Sequence, residues 1–142
     1  MGDGREVLGD EPTLRFVRAP SVVDHALHAL VVLAQAPPGQ RLKIREICAP
    51  DGLSRKFVAA ALNDLRPTGL IESRRGSHGG YRLAVPADQI TVDQVFEAVD
   101  IRTPTAAPGS DPTRALWVEA EQEVRARLRA VTIGDLIAPA VP

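Results

Sequence analysis

Ile71-Glu72-Ser73-Arg74-Arg75-Gly76-Ser77-His78-Gly79-Gly80-Tyr81-Arg82-Leu83-Ala84 is the stretch whose reading decides the fold. Ile71-Glu72-Ser73-Arg74 and Tyr81-Arg82-Leu83-Ala84 read as two strands joined by Arg75 to Gly80. Three glycines within positions 76–80 predict a mobile, low-profile hairpin tip. Just upstream, Ser54 is placed to cap a helix that Pro67 and Gly69 end, Pro67 lying uncomfortably close to the last turn. Along that helix Val58, Ala61, Leu62 and Leu65 point one way, and Arg55, Lys56, Ala59, Ala60 and Asn63 point the other. A shorter helix through Ile44, Ile47 and Cys48 stops near Pro50, and Asp51-Gly52 makes a tight turn before Leu53 packs back. Two helices joined by a glycine turn and followed at once by a basic glycine-tipped hairpin make a winged helix-turn-helix.

The flanks complete the organisation. Residues 1–19 read as a loose, flexible arm, with Leu14, Phe16 and Val17 anchoring its end. Ser21, with Asp24 three residues on, opens a helix whose apolar stripe is Val23, Ala26, Leu27, Leu30, Val31 and Ala34. Ala36-Pro37-Pro38-Gly39 ends it. After the hairpin, Thr91-Val92-Asp93 offers a cap for a helix burying Val92, Val95, Phe96 and Val99. Residues 101–113 read as a Pro-, Thr- and Ala-rich loop. A long helix runs from about Pro112 to Ala130, with Leu116, Trp117, Ala120, Val124, Leu128 and Val131 at helical spacing. Its charges are acidic early (Glu119, Glu121, Glu123) and basic late (Arg125, Arg127, Arg129), as the helix dipole favours. Thr132 to Ile137 form a last short helix. The expected architecture is mainly α with a small β-hairpin wing: residues 20–100 the winged helix-turn-helix, 101–113 the loop, and 114–142 a dimerisation helix and tail.

Length and composition narrow the class. With 142 residues, 44% apolar and 25% charged side chains, and a mean hydropathy of -0.05, the chain has the profile of one soluble globular domain. No uninterrupted apolar run exceeds six residues, against the roughly 20 that a spanning helix needs. No basic start followed by an apolar stretch marks a signal peptide, so a cytoplasmic protein is expected. The net charge of -1 conceals a strong segregation: residues 1–40 carry -2, residues 41–82 carry +5 and residues 83–142 carry -4. A basic centre between acidic flanks is the pattern of a nucleic-acid reader with a second, non-binding part. Fifteen of the seventeen basic residues are Arg, which suits phosphate and base-edge contacts, though a GC-rich genome gives the same bias.

The chemistry of the surfaces follows. The third helix suits a major groove, where an α-helix fits and base pairs are distinguishable. Ser54, Arg55 and Lys56 sit at its N-terminal end, where backbone amides and positive charge meet phosphates. Ala59 and Ala60 remove bulk, and Asn63 reaches towards a base edge or phosphate. Arg74 and Arg75 stand at the wing tip beside Gly76, where an arginine can enter a narrow minor groove; His78 is there for a phosphate contact or for solvent. The competing reading is a solvated basic face on a protein-binding adaptor that no longer reads DNA. An enzyme is rejected: no nucleophile–base pair, phosphate-cradling loop or metal constellation is visible.

These residues resemble a known family. Ser73-Arg74-Arg75-Gly76-Ser77-His78-Gly79-Gly80-Tyr81-Arg82-Leu83 is similar to the S-x-R-G-x-x-G-G-Y-x-L wing of the IscR/NsrR/CymR-type bacterial regulators, the Rrf-two family. Leu65-Arg66-Pro67-Thr68-Gly69-Leu70-Ile71 resembles the L-R-x-x-G-L-V before it. Ile90-Thr91-Val92 through Ala98-Val99-Asp100 resembles the helix after it, and Ala115-Leu116-Trp117 and Val131-Thr132-Ile133-Gly134-Asp135-Leu136 resemble the ends of the family's dimerisation helix. The likeness covers about residues 20–137. It implies a homodimer reading a pseudo-palindromic operator in double-stranded DNA, usually as a repressor, with Arg75 at the position whose arginine enters the minor groove and Leu116, Trp117, Ala120, Val124 and Leu128 on the pairing helix. Cluster-binding relatives hold iron–sulfur through three cysteines in the loop before that helix, and this loop has none. No cofactor is therefore expected, and a small-molecule or thiol signal takes its place. Many relatives carry a Glu-Gln pair where Ala59 and Ala60 stand, so the resemblance also implies a different operator.

Three side-chain types remain. Cys48 cannot form an intramolecular disulfide alone, and reads as a core thiol or, near Lys43 and Arg45, as a redox sensor. His25 and His28, with Asp24 beside them, have a spacing that can put two ligands on one face, but read as surface polar residues and not a metal site. Trp117 reads as core, dimer interface or the wall of an effector pocket between the first helix, the 101–113 loop and the long helix.

Overall fold

The computed structural model describes residues 21–99 and 111–137. The arm over 1–19, the effector-pocket loop up to residue 110, the side chain of Ser21 with its capping role, and the tail beyond 137 lie outside those residues. In chain order the elements are α1 (Ser21–Gln35), α2 (Ile44–Cys48), α3 (Arg55–Leu65), β1 (Ile71–Arg74), β2 (Gly80–Leu83), α4 (Val92–Val99), α5 (Pro112–Arg129) and α6 (Ile133–Ile137). The fold is mainly helical with one antiparallel hairpin, as expected. No helix among the described residues is long and apolar enough to cross a membrane.

Helix α1 is the centre of the packing, in contact with α2, α3, α4, α6 and β2. It buries Val23, Ala26, Ala29, Leu30 and Leu33. The expected stripe was turned slightly: Leu27, Val31 and Ala34 are only half-buried, while Ala29 and Leu33 are inside. A helix surrounded by partners is apolar over most of its girth, so its sequence carries no sharp boundary between faces. Ile47, Val58, Leu62, Leu65, Ile90, Val95 and Ile133 close the core around it, each fully buried.

The helix-turn-helix follows from local chemistry. The backbone N–H of Lys43 donates to Glu46 Oε1 at 2.7 Å, which starts α2. After Cys48 a 3-10 turn, Ala49–Asp51, leads to Gly52 at φ +61°, and Leu53 N donates back to Cys48 O at 3.1 Å. Ser54 Oγ then accepts from Phe57 N at 3.3 Å and caps α3. Pro67 causes no break, because α3 gives way at Arg66 to a 3-10 turn in which proline needs no donor. Thr68 Oγ1 secures that turn, donating to Leu65 O at 2.6 Å and accepting from Leu70 N at 3.1 Å.

The hairpin pairs Ile71 with Leu83, Glu72 with Arg82, Ser73 with Tyr81 and Arg74 with Gly80. Its second strand begins one residue before the expected Tyr81 and omits Ala84, whose N–H turns to Leu70 O at 2.9 Å. A third segment braces it: Leu42 N donates to Tyr81 O at 2.8 Å, and Tyr81 N to Leu42 O at 2.7 Å. Helix α4 buries Val92, Val95 and Val99, with Phe96 half-buried. Its cap is a Thr91–Gln94 pair, Gln94 N donating to Thr91 Oγ1 at 3.1 Å and Thr91 N to Gln94 Oε1 at 2.8 Å. Asp93, read as part of that cap, instead turns inward to α5. Asp111 caps α5 through Thr113 N at 3.1 Å, and a reciprocal Thr132–Asp135 pair at 3.0 Å opens α6.

Candidate nucleic-acid interface

On α3 the faces divide as the sequence indicates. Val58, Ala61, Leu62 and Leu65 are buried, while Arg55, Lys56, Ala60 and Asn63 are exposed and Ser54 and Ala59 are half-buried. Two alanines among polar neighbours leave a low surface on the helix's outer side. Phe57, unassigned in the sequence reading, is 44% exposed at the flank of this surface, edge-on to the His25 ring with centroids 5.1 Å apart. An exposed aromatic at a helix N-terminus carries no local signature that separates it from a core residue.

The wing presents Arg74, Arg75, Gly76, Ser77 and His78 to solvent. Its glycines do more than loosen the tip. A Cβ on Gly79 would stand 2.1 Å from Arg74 O, and one on Gly80, at φ +133°, would stand 2.6 Å from Leu42 O. Gly79 N donates to Gly76 O at 2.9 Å, and Lys43 Nζ donates to the same carbonyl at 3.2 Å. The tip is thus a closed turn, tied to the residue that starts α2. The signal for this was the period-two pattern of Arg41-Leu42-Lys43, a strand-like triplet on a segment the sequence reading left unassigned.

Electrostatics separate the wing's base from its tip. Glu72 takes Arg82 at 3.1 Å (Nε) and 3.0 Å (Nη2), with Arg41 Nη2 at 3.8 Å. Arg41 is largely covered, and its Nε is buried without a hydrogen-bond partner. Desolvation, then the nearby Arg74 and Arg82, lower its pKa, while Glu72 opposes them. The acidic charge inside the hairpin is therefore spent on Arg82 and Arg41, beneath the exposed Arg74 and Arg75.

Elsewhere the candidate residues fall as follows. Leu116, Trp117 and Val124 on α5 are exposed, Trp117 by 64%, and Ala120 and Leu128 are half-buried. No residue of α5 is buried. Cys48 lies in the core, its thiol pushed up by burial, with Arg55 pulling weakly the other way. His28 sits between Asp24 Oδ2 at 3.4 Å and Asp51 Oδ2 at 3.3 Å, joining α1 to the turn before α3. Among the described residues no three His, Cys, Asp or Glu side chains are placed to hold a metal ion. An open hollow of about 490 Å³ lies between the end of α1 and Leu42, Pro50 and Asp51.

Known proteins resemble the chain in sequence and in fold. Residues 20–139 match the family described as Rrf2, iron-dependent transcriptional regulator. The HTH-type transcriptional regulator Rv1287 of Mycobacterium tuberculosis (strain H37Rv) is 31% identical over 138 residues, covering 89% of this chain and 84% of that protein. The crystal structure of the oxidized form of Staphylococcus aureus CymR superposes with a TM-score of 0.72 at 24% identity, covering 89% of this chain and all of that one. T. potens IscR gives 0.73 at 21% identity, covering 89% of this chain and 95% of that one. A shared winged-helix fold, a family match spanning most of the chain and relatives named as regulators, not enzymes, lead to one assignment: the chain belongs to the Rrf2 family of transcriptional regulators.

Proposed function

We propose that the protein is a homodimeric, sequence-specific DNA-binding repressor, with α3 in the major groove and the wing arginine Arg75 in the minor groove. The observation that carries this is the division of α3: its inner face is fully buried, while Arg55, Lys56, Ala60 and Asn63 stay open to solvent beside a basic wing. Phosphate contacts from Arg55, Lys56 and Arg74 would position the duplex, and Asn63 and Arg75 would read it, with Ser54 holding the helix N-terminus in place. The exposed Leu116, Trp117 and Val124 support pairing of α5 with its twin. A twofold dimer presents its two reading helices about one helical turn, roughly 34 Å, apart, which suits a pseudo-palindromic operator.

The iron in the family's description does not carry over to this chain's residues. The single cysteine, Cys48, is buried in the core, and an iron–sulfur cluster draws on several thiolates. We therefore assign no cluster to the protein and give the sensing role to a small-molecule effector.

Fluorescence anisotropy tests the proposal, with DNA from upstream of the protein's own gene set against a scrambled duplex. Tight, selective binding that falls by about 10³-fold or more between 50 and 200 mM salt is expected if six or more phosphates are neutralised. Weak, salt-insensitive binding equal on both duplexes, with and without cell metabolite extract, would refute it in favour of a protein-binding adaptor.

A further inference from the structure

Helix α5 is fastened to the rest of the fold in an unusual way. None of its residues is fully buried: Val118, Ala120 and Leu128 are half-buried and Leu116, Trp117 and Val124 are exposed, so apolar packing alone holds its rotation and tilt only loosely. One attachment lies beyond its C-terminal end, where Val92 N donates to Val131 O at 2.9 Å, Ile133 N donates to Ile90 O at 2.8 Å, and Ile133 is fully buried. That is a pivot. The second attachment is polar. Asp93 of α4, only 6% exposed, takes Arg125 Nε on one carboxylate oxygen at 3.0 Å and faces Arg129 Nε with the other at 3.5 Å. Arg125 also donates from Nη2 to Glu97 Oε2.

The spacing gives this joint its geometry. Arg125 and Arg129 are four residues apart on α5, as Asp93 and Glu97 are on α4, so each pair lies on one helix face. Two cations along one axis against two carboxylates along another fix both the slide and the roll of α5. A carboxylate this buried is costly unless its oxygens are engaged, and removing a partner leaves the charge uncompensated. The side-chain hydrogen bonds that Arg125 donates to Asp93 and Glu97 raise its pKa, which favours the charged form the joint uses.

We propose that Asp93, Arg125 and Arg129 are positioning residues that set the angle between α5 and the DNA-reading domain, and through it the half-site spacing the dimer accepts. This rests on the dimeric reading above. Thirteen residues separate Arg125 from Pro112, about 20 Å of helix, so a tilt of about 5° at the joint moves the far end of α5 by about 2 Å. Twofold symmetry repeats the displacement in the partner, and the sum approaches the rise of one base pair, about 3.4 Å.

The test uses the full-length protein and duplexes that the wild type recovers from a random-sequence library. Their half-site spacing is then varied by one and two base pairs, alongside a duplex carrying one half-site. The wild type is expected to favour its own spacing by about tenfold, or one step on the affinity scale. Asp93→Asn and Arg125→Gln should remain dimeric by sedimentation and bind the single half-site within about twofold of wild type, yet discriminate spacing by about threefold or less. Arg125→Lys, which keeps the charge, should restore part of the preference. Should either principal variant unfold, Glu97→Gln replaces it: this side chain is 62% exposed, and its loss should cut the preference by about half. Unchanged discrimination in the folded variants overturns the joint alone. A wild type that is monomeric, or that recovers only single half-sites, overturns the dimeric reading and the joint with it.

Discussion

Gly80→Ala should be clearly more damaging than Gly76→Ala at the tip of the same wing. Gly80 has φ +133°, and its new Cβ would stand 2.6 Å from Leu42 O and 2.8 Å from Leu42 C, both backbone atoms that no rotamer change can move. The backbone strain alone costs about 1–3 kcal/mol. Relieving the clash requires Leu42 to withdraw, which stretches the 2.8 and 2.7 Å hydrogen bonds it shares with Tyr81. Two such bonds add about 2 kcal/mol, for a total of about 3–5 kcal/mol. Against a typical domain stability of about 5–15 kcal/mol this is a severe loss. Gly76→Ala is the control: at φ +103° with nothing within 4 Å of the added carbon, it pays the strain alone. Urea unfolding of the two variants should therefore differ by about 2 kcal/mol, the share of the two hydrogen bonds. Amide exchange at Leu42 and Tyr81 should accelerate only in Gly80→Ala. Equal losses in the two variants, or intact protection at Leu42 in Gly80→Ala, would refute the close approach of these strands.

Three further outcomes are expected. Arg75→Ala should weaken DNA binding by about 1–3 kcal/mol, most on sequences with a narrow minor groove, and uniform retention of affinity in anisotropy would remove the wing from the interface. Hydrogen bonds from the side chain and backbone of Thr113 lower the Asp111 pKa, so its capping contribution to α5 is present above the ordinary aspartate value and is lost as pH falls through the lowered one. Helicity of the wild type should accordingly decline as pH falls below the ordinary aspartate range in circular dichroism, with a smaller decline in Asp111→Ala, while an identical decline in both would exclude the cap as a contributor. Cys48, buried and with its thiol pKa raised, should resist a thiol reagent at neutral pH until urea unfolds the chain; rapid labelling of the native protein would contradict its place in the core.

How much of this was legible in sequence depends on how far each side chain's partner lies along the chain. The helix-turn-helix and both strands of the wing were readable because their determinants are local: Ser54 capping α3, the Gly52 turn, and the period of Val58, Ala61, Leu62 and Leu65. Asp93 was misread because a threonine two residues earlier makes an aspartate look like part of a cap, whereas Arg125 lies thirty-two residues on. The wing glycines were read as flexibility for the same reason, since the backbone that crowds Gly80 belongs to Leu42. In α1 the stripe was blurred by burial on several sides. The proposed interface residues of α3 were picked out by exclusion, as the face its core does not use, and the exposure of Phe57 was not foreseen because aromatic residues are expected inside.

The brace from Leu42 and Lys43 has a mechanical consequence. One residue past Lys43 the chain becomes α2, and Lys43 also holds the carbonyl at the wing tip, so the wing and the helix-turn-helix share a single stiff support. In the proposed binding mode, a reading head built this way has little compliance of its own between α3 and the wing. Any mismatch between the distance they span and the shape of a duplex must be absorbed by the DNA, through bending or narrowing of its grooves. Sequence steps that deform easily would then be favoured at positions the protein never touches, and stiffness of the duplex would join base identity as something the regulator measures.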